Sequence, residues 1–333
     1  MIYYSIEIFK EMRRFFLFIF LVSSTLLLSA NNDSSDIAPK KDTIRYWKFS
    51  GKTGLTFNQL SLTNWAAGGE SSASGKVNAT TKLRYKKNNF LFEKITKLAF
   101  GIVGYGNNRI EKTEDRIDIS ISATNETEKN WTYSSVITLK SQFADGYKYP
   151  NDSTLISTFF APGVINASIG YRYKKSDVFE LFLSPASGKF TFVLNQKLAN
   201  KGAYGVEPAV YDTSGKLLVP GQKLYSEFGF NVLANFAKEI SKNIELSSTL
   251  NLYNNYLDYN AKNRWNIDID WETTINFFIN KRFQTVLFMQ MKYDHNIDLP
   301  KYEMIEGEKV QIGEGPGLQF KESLGIGITY SIS

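Results

Sequence analysis

The chain has 333 residues, no cysteine and a formal charge of +6, with 15% aromatic and 22% charged residues. The absence of cysteine excludes a disulfide framework, thiolate metal sites and a cysteine-linked lipid anchor. The basic residues are spread over many segments, which is not a nucleic-acid footprint. Past residue 30 no apolar run is long enough for a helical membrane span.

The N-terminus reads as an export signal. Met12-Arg13-Arg14 is followed by an apolar run from Phe15 to Val22 and by small residues up to Ala30. That is a basic region, an apolar region and a cleavage point, expected to be recognised by the Sec pathway. Residues 1–30 are therefore expected to be a signal peptide whose natural start is Met12. Residues 31–43 form a polar periplasmic lead-in, and 44–333 form the folded domain.

From residue 44 the chain alternates in parity, and alternation with period two is the signature of a strand with two different faces. The first strand, 44–60, sets Trp47, Phe49, Leu55 and Phe57 on one face. The second sets Val77, Ala79, Leu83 and Tyr85 against Lys76, Asn78, Lys82 and Arg84, and ends in a turn at 86–89. Residues 90–105 return, and a charged loop is expected at 107–114. The fourth strand places Ile117, Ile119, Ile121 and Ala123 opposite Arg116, Asp118, Ser120, Ser122 and Thr124. The fifth runs from Trp131 to Tyr147. Further strands are expected at 164–173, 178–195, 225–238, 244–252, 265–275 and 283–293. Ser184-Pro185 interrupts one of them and requires a bulge or an unpaired position.

The closing strand, 318–333, has Phe320, Leu324, Ile326, Ile328, Tyr330 and Ile332 on one face and Lys321, Ser323, Gly325, Gly327, Thr329 and Ser331 on the other. Left open, such a strand is an exposed apolar edge; paired with the first strand it closes a barrel and the edge disappears. Short turns at 86–89, 128–130, 174–177, 239–243 and 280–282 alternate with longer connections at 61–72, 107–114, 149–158, 196–223, 258–263 and 296–316. The fold class is all-β: an antiparallel up-and-down transmembrane β-barrel of about twelve strands, apolar outside and polar inside. Trp131, Tyr133, Tyr171, Tyr173, Tyr85 and Tyr330 lie near the short-turn rim, where an aromatic girdle belongs.

Asn64-Trp65-Ala66-Ala67-Gly68-Gly69 resembles the N-W-x-x-G-G signature of the DUF3078 family, uncharacterised outer-membrane β-barrel proteins of Bacteroidota. The likeness continues through Lys112-Thr113-Glu114-Asp115-Arg116-Ile117, Gly146-Tyr147, Ser184-Pro185, Gly202-Ala203-Tyr204-Gly205-Val206 and Asn251-Leu252-Tyr253-Asn254-Asn255-Tyr256. The resemblance implies the fold and an outer-membrane location. It carries no catalytic residues.

Two groups are candidate functional residues. Asn64, Trp65, Gly68 and Gly69 form a loop at the barrel mouth, either a folded cap or a ligand contact. The inward faces supply Arg84, Arg116, Asp118, Glu227, Asp268, Asp270, Glu272 and Lys292, together with Lys76, Lys82, Lys140, Glu245 and Asp294. Such charges either pair across a filled interior or line a water-filled channel. Asp268, Asp270 and Glu272 stack on one face as a hard-cation site requires, though pairing with lysine and arginine accounts for them as well. His295 is the only histidine, and a G-x-S-x-G elbow is absent. The expected role is a small passive channel or a structural or assembly component. An outer-membrane lipase-type enzyme and a surface binding module using the long loops are the alternatives. No cofactor or catalytic motif is present. The expected partners are outer-membrane lipid and the barrel assembly machinery, engaged through the closing strand.

Overall fold

The computed structural model describes residues 46–62, 70–106, 109–127, 130–305 and 308–332. The export signal, the lead-in and the mouth residues Asn64, Trp65, Gly68 and Gly69 lie outside the described residues. In chain order the strands are β1 (Trp47–Leu60), β2 (Ser72–Lys87), β3 (Phe90–Tyr105), β4 (Ile110–Asn125), β5 (Trp131–Ser141), β6 (Gly146–Tyr147) and β7 (Leu155–Ser157). They continue with β8 (Gly163–Lys174), β9 (Phe179–Phe192), β10 (Val210–Tyr211), β11 (Leu217–Val219), β12 (Leu224–Ser241) and β13 (Ile244–Asn255). The last are β14 (Asp268–Phe278), β15 (Phe283–Tyr293), β16 (Asp298–Ile305), β17 (Glu308–Pro316) and β18 (Gln319–Ile332). A short helix, α1, covers Gln196–Asn200, and single 3-10 turns cover Ala203–Gly205 and Ala261–Trp265.

The twelve longest strands close one antiparallel barrel in the order β1-β18-β15-β14-β13-β12-β9-β8-β5-β4-β3-β2. The seam is the expected one. Leu55 pairs with Ile328 and Phe57 with Ile326, so the apolar faces of the first and last strands are continuous around the outside. On β18 Phe320, Glu322, Leu324, Ile326, Ile328 and Tyr330 are exposed, while Gly325, Gly327 and Thr329 are buried toward the lumen. The same alternation recurs on β4, where Ile119 and Ile121 pair outward with Leu139 and Ile137 of β5, and Asp118 pairs inward with Lys140. The apolar outer face is what a bilayer covers.

Short turns and long connections alternate as expected. The β2–β3 turn holds two residues, and Asn88 takes the positive φ of 51° that a tight two-residue hairpin requires. At the β14–β15 turn the Asn280 side chain accepts from the amides of Arg282 and Phe283. Near that rim Trp47 stacks on Tyr85, Trp131 on Tyr173 and Tyr133 on Tyr171, with ring centres 4.8, 5.0 and 5.0 Å apart. Ser184-Pro185 occupies a bulge: pairing jumps from Ile169–Ala186 to Tyr171–Leu183, so the proline spans an unpaired position. Gly170 sits opposite this bulge, where a Cβ would overlap the Leu183 carbonyl.

Three expectations are corrected. The segment 107–114 is mostly strand: β4 begins at Ile110, and a bulge at Thr113 absorbs the break in alternation. The fifth strand stops at Ser141 rather than Tyr147. Phe143 instead folds back on Leu98 and Ile117 outside the barrel, and Asp115 accepts from the amides of Phe143 and Ala144. The connection 296–316 contains the β16–β17 hairpin.

Candidate functional site: the charged lumen

The inward faces bring the sequence-selected charges together. Arg116 of β4 donates to Glu272 of β14 at 2.9 Å, and β4 lies six steps from β14 in either direction around the barrel. The pair therefore spans the full width of the lumen. Arg116 also bonds Asp118 of its own strand through Nε at 2.6 Å. Lys140 of β5 reaches Asp270 at 2.7 Å, five strands away. Lys189 of β9 reaches Asp268 at 2.7 Å, and Lys321 of β18 reaches Glu114 at 2.6 Å. Gln290 donates to both Asp270 and Glu272. Lys292 pairs with Asp270 in the β14–β15 register and lines the same cavity.

Spacing on β14 explains the order. Asp268, Asp270 and Glu272 are two residues apart, so all three point inward and climb the wall. Each meets a cation from a different facing strand: Lys189, Lys140 and Arg116 in turn. The stack is thus a ladder of ion pairs, and no group of acidic or histidine residues among those described is placed to hold a metal ion. Removing charges from water is costly unless partners and hydrogen bonds replace it, and here each rung supplies both.

A second ion-pair cluster lies toward the short-turn end. Arg172 bonds Glu93 at 3.1 Å, Glu180 at 2.6 Å and the Thr124 hydroxyl at 3.1 Å. Glu93 also receives Lys82 at 2.8 Å and Arg84 at 3.8 Å. Between the clusters Lys52 of β1 approaches Glu245 of β13 at 3.7 Å. Side chains from facing walls meet along the length of the barrel.

On the long-loop side the lumen widens into a cavity of about 380 Å³, lined by charges of the ladder and by Tyr204, Tyr225 and Tyr253. Two loops fold over it. Ala161, Val193, Leu198, Ala199 and Val206 form a small apolar core there, with Leu155, Tyr204 and Tyr225 packed against it. Asn195 caps α1 by accepting from the amides of Lys197 and Leu198. Tyr204 adopts a left-handed conformation, with φ of 60°, which costs a non-glycine residue energy. Its hydroxyl donates to the Ile156 carbonyl at 2.8 Å, tying the two loops together. Burial pushes that hydroxyl up to about 12. Sequence reasoning passed over Tyr204, Tyr225, Tyr253 and Lys189 as site residues. Their signals were inward parity and, for Tyr204 and Tyr253, a place in segments that carry the family resemblance.

His295 lies at the same rim. Its ring Nδ1 is 3.4 Å from the Tyr293 hydroxyl, and its amide donates to Asp268. Among the described residues no serine hydroxyl is hydrogen-bonded to it.

The family model described as "Protein of unknown function (DUF3078)" matches residues 57–147. The resemblance carried by Asn64, Trp65, Gly68 and Gly69 is borne out over that stretch, and the likenesses beyond residue 147 fall outside it. A search of curated proteins finds no match. Among solved structures the chain is similar to an outer membrane channel from Pseudomonas putida F1, at 12% identity and a TM-score of 0.36, covering 88% of this chain and 100% of that one. The translocator domain of the autotransporter NalP from Neisseria meningitidis shares 9% identity at a TM-score of 0.34, with 87% and 89% covered. The NanC porin shares 8% at 0.34, with 85% and 99% covered.

Proposed function

We propose that this chain is an outer-membrane β-barrel acting as a small passive channel, its bore narrowed by ion pairs that reach across the lumen. The Arg116–Glu272 pair carries the reading, because it joins strands on opposite walls while leaving polar, hydratable groups on both sides of it. Charges can also pair across a filled interior; here a cavity of about 380 Å³ opens above them, and that opening favours a bore. The apolar exterior and the aromatic rim suit an outer membrane reached through Sec export. Lipid then contacts the outer face, and the closing strand is the segment offered to the assembly machinery. The lipase-type alternative has no comparable support, since the His295 ring meets Tyr293 rather than a serine.

Planar-bilayer conductance of the refolded protein tests this. The wild type should conduct weakly, and Arg116→Ala should conduct more, because the pair no longer crosses the bore. A folded barrel that stays silent in both forms would make the protein a structural or assembly component.

A further inference from the structure

One wall of the upper cavity holds more acid than base. Lys189 is shared by Glu227 at 3.1 Å, Asp268 at 2.7 Å and Asp294 at 3.6 Å. Three carboxylates against one ammonium leave an excess of two negative charges when all are ionised. The next acids along β14 are better matched: Asp270 has Lys140 and Lys292 beside it, and Glu272 shares Arg116 with Asp118.

An independent observation sits beside the charge. Tyr253 lines the same cavity and is 2% exposed, yet its hydroxyl has no hydrogen-bond partner. Glu227 is 5% exposed, and its Oε2 has the shared Lys189 ammonium at 3.1 Å. Buried polar atoms left unbonded are uncommon and costly. Both oxygens accept, so a donor-rich cation bonds to them together and offsets the excess charge. The Tyr253 ring already faces a cation, with the Lys189 Nζ 5.1 Å from its centre, and Tyr225 lines the same cavity.

We propose that this wall is a binding subsite for small organic amines in their ammonium form, entering from the long-loop side. Glu227, Asp294 and the Tyr253 hydroxyl accept from the ammonium, and Lys189 holds Asp268 in place. The inference rests on the solute-admitting lumen proposed above, and the two fail separately. Diamine binding without conductance removes the channel alone; conductance without diamine binding removes the amine subsite alone.

The test is titration calorimetry on the refolded full chain in detergent, with 1,4-diaminobutane as probe and 1,4-butanediol as its uncharged match. The diamine should bind saturably and the diol should not. Tyr253→Phe should weaken diamine binding by about tenfold, the size of one hydrogen bond to a charged group. Glu227→Gln should weaken it at least as much. Heat-modifiable migration reports whether each variant is folded, and if Glu227→Gln is not, Asp294→Asn at the end of β15 carries the same expectation. Absence of diamine binding to the folded wild type, equal binding of the diol, or undiminished binding in Tyr253→Phe and Asp294→Asn would overturn the proposal.

Discussion

Arg172 and Glu93 meet at 3.1 Å although their strands, β8 and β3, are three places apart in the barrel, and neither is more than 7% exposed. Removing one member of a buried, hydrogen-bonded pair strands the other, at a cost of about 3–5 kcal/mol. Glu93→Ala leaves Lys82 without its carboxylate and Arg172 with Glu180 and the Thr124 hydroxyl. The unfolding free energy from a urea titration in lipid should fall by that amount, and its midpoint by that amount divided by the urea slope. An unchanged midpoint would mean that water replaces the pair freely.

The closing strand permits a test of face and depth together. Leu324 points outward opposite Leu287, midway along β15, and Ser323 beside it points inward opposite Phe288. Leu324→Lys puts a charge against the middle of the bilayer and should cost about 2–4 kcal/mol, whereas Ser323→Lys should cost little. Ile328 also faces out, but it pairs with Phe283, the first strand residue after the short turn. There a lysine reaches the interface, and Ile328→Lys should cost only about 0–1 kcal/mol. Folded yield by heat-modifiable migration ranks the three; any other order contradicts the register.

Gly229 lies on the other flank of the Ser184-Pro185 bulge, where β12 changes register against β9. A Cβ there would overlap the carbonyl of Asn254 across the strand pair. Gly229→Ala must push β12 and β13 apart, and overpacking of this kind costs about 1–3 kcal/mol. The unfolding midpoint should drop accordingly, while Gly215→Ala, in open space but at positive φ, should disturb only its own loop.

Tyr204 makes the loop cap sensitive to alkali. In the unfolded chain its hydroxyl ionises near 10, but burial in the fold raises it to about 12. Between those values the folded state holds a proton that the unfolded one has lost. The cap is therefore fully stable below pH 10 and weakens as pH rises through 10 to 12. Limited proteolysis of residues 193–223 should accelerate over that window in the wild type. In Tyr204→Phe, which also loses the bond to Ile156, cleavage should be faster at neutral pH by the equivalent of about 1 kcal/mol and should lose this pH dependence.

Much of the architecture was legible because a barrel strand repeats one rule. Side chains alternate between lipid and water, so Ile117, Ile119 and Ile121 declare their face without any knowledge of their neighbours. The bulge at Pro185 was legible because proline cannot donate to a ladder. The start of β4 was not, since Glu111, Lys112 and Thr113 stand above the apolar band and carry a bulge, which removes the parity signal. Nor was the lumen network. Arg116, Asp118, Asp268, Asp270, Glu272 and Lys292 line one cavity, but the meeting of Arg116 with Glu272 joins residues 156 apart in the chain. That meeting depends on strand count and stagger rather than on any local pattern. The carboxylates of β14 looked like a cation site for the same reason: parity reveals a shared wall and is silent about what stands opposite.

The seam between β1 and β18 governs when this molecule can become itself. The Thr329 hydroxyl donates to the Thr53 carbonyl across a separation of 276 residues, and every pairing along that seam is similarly distant. All other neighbouring strands are joined by a single connection and can zip as the chain emerges. The last pairing has no such local help, and closure entropy makes it the slowest to find. Until it forms, the sheet is a ribbon with two raw margins, each able to recruit another molecule. Closing that one seam removes both margins together.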